Sequence, residues 1–283
     1  MRAIGRLKMG KNGSFLIYPD VFGGRIRAFF TGIVPGVDRE AVCGLLGVED
    51  ERLFMPDQRH TADIISYSGR QTKMPAGADA VITRLDGFAI GVKTADCVPA
   101  LFADEKTGAI GAVHAGWRGT AKGILTGAIG KMASLYGCLP GDLKLAIGPS
   151  IRGCCYEVEM DVLQEVRAGM GGTGHHPPLI PSPLGGDLTN DYFKINGGKA
   201  YLDLAAANRL QALQAGIKAE NIWVSDMCTF CRPELFNSFR RESLKGQTVG
   251  LNAPAGGRGR QGGFIMRTPL PDGRGVPEKP KAF

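Results

Sequence analysis

Residues 88–119 read FAIGVKTADCVPALFADEKTGAIGAVHAGWRG. Three apolar runs lie inside this stretch: Phe88–Thr94, Pro99–Phe102 and Ala109–His114. Each is short, rich in Val, Ile, Ala and Phe, and bounded by Gly, Asp or Thr, the pattern of strands joined by tight turns. Upstream, Asp63–Tyr67 and Ala80–Thr83 read the same way, so five strands are predicted in one block. Then the period changes. Ile124, Leu125, Ala128, Ile129, Met132 and Leu135 recur at helical spacing, with Thr120 as the expected cap and Gly137 as the stop.

Working outward, Phe15–Tyr18 and Ile26–Phe30 read as a strand pair, and Asp38–Leu46 as a short helix capped by Asp38 and ended by Gly47. On the other side, Leu143–Ile147 is a buried strand and Tyr156–Ala168 a second helix. Gly169–Lys199 is Gly/Pro-rich and reads as a long loop or lid. Leu202–Ala215 is a third helix, Ile222–Ser225 a strand, and Phe264–Arg267 the last strand. Strands that arrive first in a block, with helices after them, favour α+β over a doubly wound sheet. No linker or repeat interrupts the chain, so residues 1–268 are expected to form one domain and 269–283, rich in Pro, Gly and Lys, a disordered basic tail.

Composition narrows the function classes. The chain has 283 residues, 43% hydrophobic and 22% charged, which excludes disorder throughout. No apolar run approaches the roughly 18 residues that span a bilayer, so no membrane role is expected. The N-terminus is basic without an apolar core, unlike a secretory signal. Seven cysteines in such a chain suggest a reducing cytoplasm, with thiols free or metal-bound. The net charge of +7 favours anionic partners without choosing among them, and its excess at the two ends reads as solvated tails.

Chemistry gathers at strand ends. His114-Ala115-Gly116-Trp117-Arg118-Gly119 ends a strand, turns at a glycine and opens a helix; Thr94-Ala95-Asp96-Cys97 ends another strand; Gln58-Arg59-His60-Thr61 sits between two more. If these ends share one sheet edge, His60, Cys97 and His114 converge. Two imidazoles and a thiolate leave the fourth tetrahedral position open, as catalytic zinc requires. Taken singly, a strand-end histidine is usually just hydrogen-bonded and a lone cysteine usually a packed small hydrophobe, and no HxxxH pair accompanies them. Cys228-Thr229-Phe230-Cys231 is a CxxC without a second CxxC, so structural zinc or redox is its minor reading. Cys154-Cys155 is expected to pack ordinarily, and His175-His176 to be exposed. Gly257-x-Gly259-x-x-Gly262 precedes a strand rather than a helix, so it is not read as a dinucleotide fingerprint.

Several stretches together resemble the YfiH family of zinc-dependent purine nucleoside phosphorylases, also known as laccase-like polyphenol oxidases. They are Gln58–His60, Ala78–Thr83, Thr94–Pro99, His114–Gly119, Ile147–Ile151 running into Cys154–Val158, Tyr201–Leu204 with Ala207-Asn208, Cys228-Thr229 and Phe239–Arg241. The resemblance implies a layered α/β/β/α sandwich with mixed sheets, and a metal held by His60, Cys97 and His114. It implies purine nucleoside and phosphate as substrates: phosphorolysis of adenosine, inosine or methylthioadenosine, and deamination of adenosine. No nucleic acid partner is expected. Arg118, Arg240 and Arg241 become candidate phosphate ligands, and Asp96, beside the thiolate, a candidate catalytic residue. Two departures stand out. Thr31 is followed by Gly32-Ile33-Val34-Pro35, where relatives carry an arginine-glycine loop, and Glu242–Gly257 is inserted before Arg258. Without the first arginine, phosphorolysis is expected to suffer more than deamination.

Three other readings compete with this one. Copper would support oxidation of phenols, but a multicopper centre needs many histidines and the chain has four. A metal-free cysteine hydrolase would use Cys97 as nucleophile and His114 as base, leaving His60 idle. A basic partner-binding protein would use none of them.

Overall fold

The computed structural model of the protein describes residues 6–10, 13–69, 77–170, 192–245 and 259–269. Its strands are β1 (Arg6–Met9), β2 (Phe15–Tyr18), β3 (Ile26–Thr31), β4 (Leu53–Phe54), β5 (Ile64–Ser66), β6 (Ala80–Thr83), β7 (Ala89–Thr94), β8 (Val98–Ala103), β9 (Ile110–Ala115), β10 (Lys144–Ile147), β11 (Glu157–Val158), β12 (Phe193–Asn196), β13 (Lys199–Leu202), β14 (Ile222–Val224) and β15 (Gln261–Arg267). The helices are α1 (Arg39–Leu46), α2 (Trp117–Ala121), α3 (Ile124–Tyr136), α4 (Met160–Gly169), α5 (Leu204–Gln214) and α6 (Phe239–Leu244).

Two six-stranded mixed sheets, ordered β1-β2-β3-β15-β7-β4 and β14-β10-β8-β9-β6-β5, carry the fold. Alternation sorts their side chains into layers. Phe15, Ile17, Phe30 and Ile90 of the first sheet meet Leu101, Ala103, Ile110 and Ala112 of the second. Leu16 and Phe29 face the other way, where α1 covers them with Val42, Cys43 and Leu46. Ala100, Phe102 and Val113 point out from the second sheet against Leu125, Ile129 and Met132 of α3, Leu163 of α4 and Ala207 of α5. Helix, sheet, sheet, helix is the expected α/β/β/α sandwich, in a single α+β domain. Every residue of β8 and β9 is buried, because sheet covers one face and helices the other. Burying each Phe or Ile of these layers contributes about 1.5–3 kcal/mol.

The differences from the sequence reading are local. Glu157–Val158 pairs with β13, so α4 starts at Met160 rather than Tyr156. Thr120 does not cap α3. It lies buried in α2 and its Oγ1 accepts the Asn208 Nδ2 hydrogen bond at 2.9 Å, while Gly123, at φ 68°, precedes α3. The region read as a loop to Lys199 contains the β12–β13 hairpin. Its turn places Gly197 and Gly198 at φ 57° and 77°, which suits a tight hairpin. Residues 171–191, including His175-His176, lie outside the described residues, as do 246–258 of the insertion and 270–283 of the expected tail. Arg6 and Lys8, read as part of a solvated end, sit exposed on the edge strand β1.

Among the described residues, no helix is long and apolar enough to cross a membrane.

Candidate metal centre and active site

Strand register assembles the site. β8 and β9 pair antiparallel, with Val98 opposite Ala115 and Pro99 opposite His114. The residue before β8 therefore meets the residue after β9: Cys97 lies beside Gly116. β6 joins the other side of β9, with Ala80 opposite Val113. That brings Asp79, just before β6, alongside His114, whose backbone N–H donates to the Asp79 carbonyl at 2.7 Å. His60 arrives on the turn leading into β5.

The ligand atoms of His60, Cys97 and His114 all lie within 4.8 Å of one another. Cys97 Sγ is 3.9 Å from His60 Nε2, and the two imidazole rings stand edge to face with centroids 4.9 Å apart. A tetrahedral zinc would set a sulfur–nitrogen edge near ~3.5 Å, so the triad closes with a small adjustment. Gly116 leaves the room: a Cβ there would approach Cys97 Sγ to 3.1 Å and His60 Cδ2 to 3.2 Å. Among the described residues, His60 and Asp96 are the non-glycine residues at positive φ, 58° and 86°. Such conformations cost energy and are held by their surroundings.

Asp79 is the partner that the sequence reading left without a role. It is fully buried, and its Oδ1 accepts His114 Nδ1–H at 2.7 Å. Its Oδ2 accepts the backbone N–H of Arg59 at 3.1 Å, the backbone N–H of Thr61 at 2.6 Å and the Thr61 hydroxyl at 2.9 Å. Burial alone would raise this carboxyl, but the His114, Thr61 and Arg59 hydrogen bonds outweigh it and hold the pKa at about 2. With the proton fixed on Nδ1, His114 presents Nε2 to the site, the arrangement that orients metal-binding histidines.

In the metal-free chain, Cys97 and His114 form a thiolate–imidazolium pair. Burial pushes the Cys97 thiol up, yet the charge and hydrogen bonding of His114, joined by His60, bring it down to about 6. Burial pulls His114 down, yet Cys97 and Asp79 raise it to about 9.

A cavity of about 540 Å³ opens above these residues. His60, Cys97 and His114 line it together with Trp117, Tyr156 and Phe239 and the arginines Arg118, Arg240 and Arg260. Arg118 lies over the Trp117 ring, 4.3 Å from its centroid, and Arg240 over Tyr156 at 5.4 Å. Thr94 also lines the cavity, and its buried Oγ1 has no hydrogen-bond partner among the described residues. Arg260 was missed, because it belongs to a basic end that reads as a tail.

Arg241 corrects the sequence reading. Its guanidinium does not line the cavity but donates to three backbone carbonyls, of Thr229 at 2.9 Å, Phe230 at 3.0 Å and Phe236 at 2.5 Å. It braces loops instead of facing an anion. Asp96 does line the cavity, but its carboxylate is engaged by the Thr229 hydroxyl at 2.6 Å, the Ser238 hydroxyl at 2.9 Å and the Arg240 backbone N–H at 2.8 Å. These bonds gather two segments, the loop at Thr229 and the start of α6, around the turn that carries Cys97.

Comparison with known proteins agrees with this architecture. Residues 37–267 match the family described as multi-copper polyphenol oxidoreductase laccase. The purine nucleoside phosphorylase YlmD of Geobacillus stearothermophilus is 36% identical over 201 residues, 68% of each chain. The adenosine deaminase RL5, from an unknown prokaryotic organism, is 35% identical over 204 residues, 69% of this chain and 72% of that one. The crystal structure of YlmD from G. stearothermophilus superposes with a TM-score of 0.74 at 29% identity, covering 93% of this chain and 98% of that one.

Proposed function

Since the chain belongs to the multi-copper polyphenol oxidoreductase laccase family, whose relatives include enzymes named for purine nucleosides, we propose that it is a zinc-dependent purine nucleoside phosphorylase with adenosine deaminase activity. One observation carries the proposal: a single cavity joins an N,N,S donor triad, aromatic walls and four arginines, Arg59, Arg118, Arg240 and Arg260. Two imidazoles and one thiolate suit a borderline-soft ion and leave a position open. When bound, zinc supplies Lewis acidity, which brings the ionisation of water near neutrality and eases departure of an electron-rich base.

The chain's own residues do the rest. Asp79 keeps His114 in the tautomer that ligates. Trp117, Tyr156 and Phe239 offer planar surfaces for a purine. Arg118, Arg240 and Arg260 hold phosphate against the ribose, where a phosphate oxygen attacks C1′ as the bond to the purine nitrogen breaks and the base leaves with the electron pair. The Thr94 hydroxyl fits a ribose hydroxyl as partner. Asp96 positions Cys97 and Arg240. Arg260 bears on the arginine missing after Thr31, since a Cβ on Gly36 of that altered loop would lie 2.9 Å from the Arg260 carbonyl. The Arg260 backbone thus borders the altered loop and the residue lines the cavity, which supports retained phosphorolysis beside deamination.

Copper chemistry of the multicopper kind lacks ligands, with four histidines in the whole chain. The thiolate–imidazolium pair favours a second reading, a metal-free cysteine hydrolase. The two separate in one experiment. Zinc-loaded and chelator-treated protein are incubated with adenosine and inosine, with and without phosphate, and the products are chromatographed. Phosphate-dependent release of hypoxanthine from inosine that is lost on chelation supports the proposal. No nucleoside turnover in zinc-loaded protein refutes it.

A further inference from the structure

Outside the active site, the described residues hold a second cluster of metal-ligating side chains. Cys154, Cys155, Cys228 and Cys231 place their four sulfurs within 4.8 Å of one another. The Cys154 and Cys231 sulfurs are 3.8 Å apart and those of Cys155 and Cys231 3.2 Å apart. In a tetrahedral tetrathiolate with metal–sulfur bonds near ~2.3 Å, each sulfur–sulfur edge is about 3.8 Å. The cluster thus already has nearly the size of an ion's coordination shell. All four cysteines are free. A disulfide needs two sulfurs, and convergence of four on one point is what a cation needs.

The backbone supports the same conclusion. The Cys155 N–H donates to the Arg152 carbonyl at 2.9 Å, closing a turn that carries the vicinal pair. Ser150 bridges to Cys228, and the Thr229 N–H donates to the Ser150 carbonyl at 3.1 Å. A cleft lined by Arg152, Cys154, Tyr192, Asp203 and Cys228 gives the cluster access to solvent.

We propose that Cys154, Cys155, Cys228 and Cys231 form a second metal centre, a closed tetrathiolate zinc site that staples the 150–155 turn to the 228–231 loop. Binding turns four thiols into thiolates, releases their four protons to solvent and involves no change of oxidation state. All four positions are filled by protein, so the site is structural and leaves none for substrate. Its reach extends to the active site, because Thr229, inside the stapled loop, donates to Asp96 beside Cys97.

The test separates this centre from the catalytic one. Full-length Cys97→Ser protein is produced with zinc under reducing conditions, passed through gel filtration and assayed by elemental analysis. It should keep about one zinc per chain, and a Cys97→Ser chain that also carries Cys154→Ser and Cys231→Ser should lose it. Because the triple variant can lose zinc simply by unfolding, cobalt(II) is also added to metal-free, reduced Cys97→Ser protein. Sulfur-to-metal charge transfer and the strong visible bands of tetrahedral tetrathiolate cobalt are expected. A Cys97→Ser chain without zinc and without that spectrum overturns the proposal, as does undiminished zinc in the triple variant. Neither result depends on nucleoside turnover.

Discussion

Asp79→Asn is a sharp test of the metal centre. The side chain keeps its size and loses one accepting oxygen. Oδ2 serves three donors and Oδ1 one, so the amide oxygen of asparagine takes the Oδ2 place and its NH2 faces His114. Two N–H groups cannot face each other. His114 therefore shifts its proton from Nδ1 to Nε2, the nitrogen aimed at the metal. Loss of such a partner costs 10–100-fold in metal affinity, about 1.4–2.7 kcal/mol. Removing one charge-assisted hydrogen bond costs about 1.5–3 kcal/mol of stability, or a fall in Tm of about 3–12 °C for a domain of this size. Zinc affinity is read by competition with a chromogenic chelator, and Tm by calorimetry of the metal-free form. A Tm drop with unchanged zinc affinity would mean that Asp79 only holds the 59–61 turn, and the orienting role assigned to it would be wrong.

Gly116→Ala tests space rather than charge: its φ of −74° tolerates alanine, so the fold should survive while crowding of Cys97 Sγ and His60 lowers zinc occupancy at least several-fold by elemental analysis. Arg118→Lys keeps the charge and loses the planar fork, so the KM for phosphate should rise about tenfold with zinc content unchanged; unaltered phosphate kinetics would remove Arg118 from the site. Alkylation of Cys97 in metal-free protein should be half-maximal near pH 6 rather than 9. The stability linked to Cys97, whose pKa is depressed, is present above 9 and lost as the pH falls through about 6; that linked to His114, whose pKa is raised, is present below 6.5 and lost as the pH rises through about 9. Denaturant midpoints of the metal-free chain should show both limbs.

The strand block was legible because β8 and β9 are buried on both faces and leave unbroken apolar runs. The β12–β13 hairpin was not, since Asn196-Gly197-Gly198 merged with the Gly-rich stretch before it. The donor triad followed as one reading of the strand ends and gained definition only through the family resemblance. Asp79 was quoted in that resemblance without a role: a lone Asp before a strand looks like a turn residue until the β6–β9 register is known. The four-cysteine cluster was hidden for a similar reason, as its halves stand more than 70 residues apart. Arg241 and Arg240 are adjacent and alike in sequence, and only the carbonyls around Arg241 distinguish brace from binder.

The position of β15 also orders the protein's synthesis. It is the last described strand, yet it sits inside its sheet, hydrogen-bonded to β3 on one side and β7 on the other. A nascent chain therefore emerges from the ribosome with both of those edges unpaired. The other sheet can be complete once Val224 is out, so the triad and Asp79 can assemble while their neighbouring layer is still open. At 5–20 residues per second the gap lasts roughly 2–9 s. During it the Phe30 and Ile90 faces and two strand edges are available to chaperones, or to another nascent copy. A stop codon before Gln261 would make that interval permanent, so a short C-terminal truncation of this protein should behave as an aggregation mutant rather than as a trimmed enzyme.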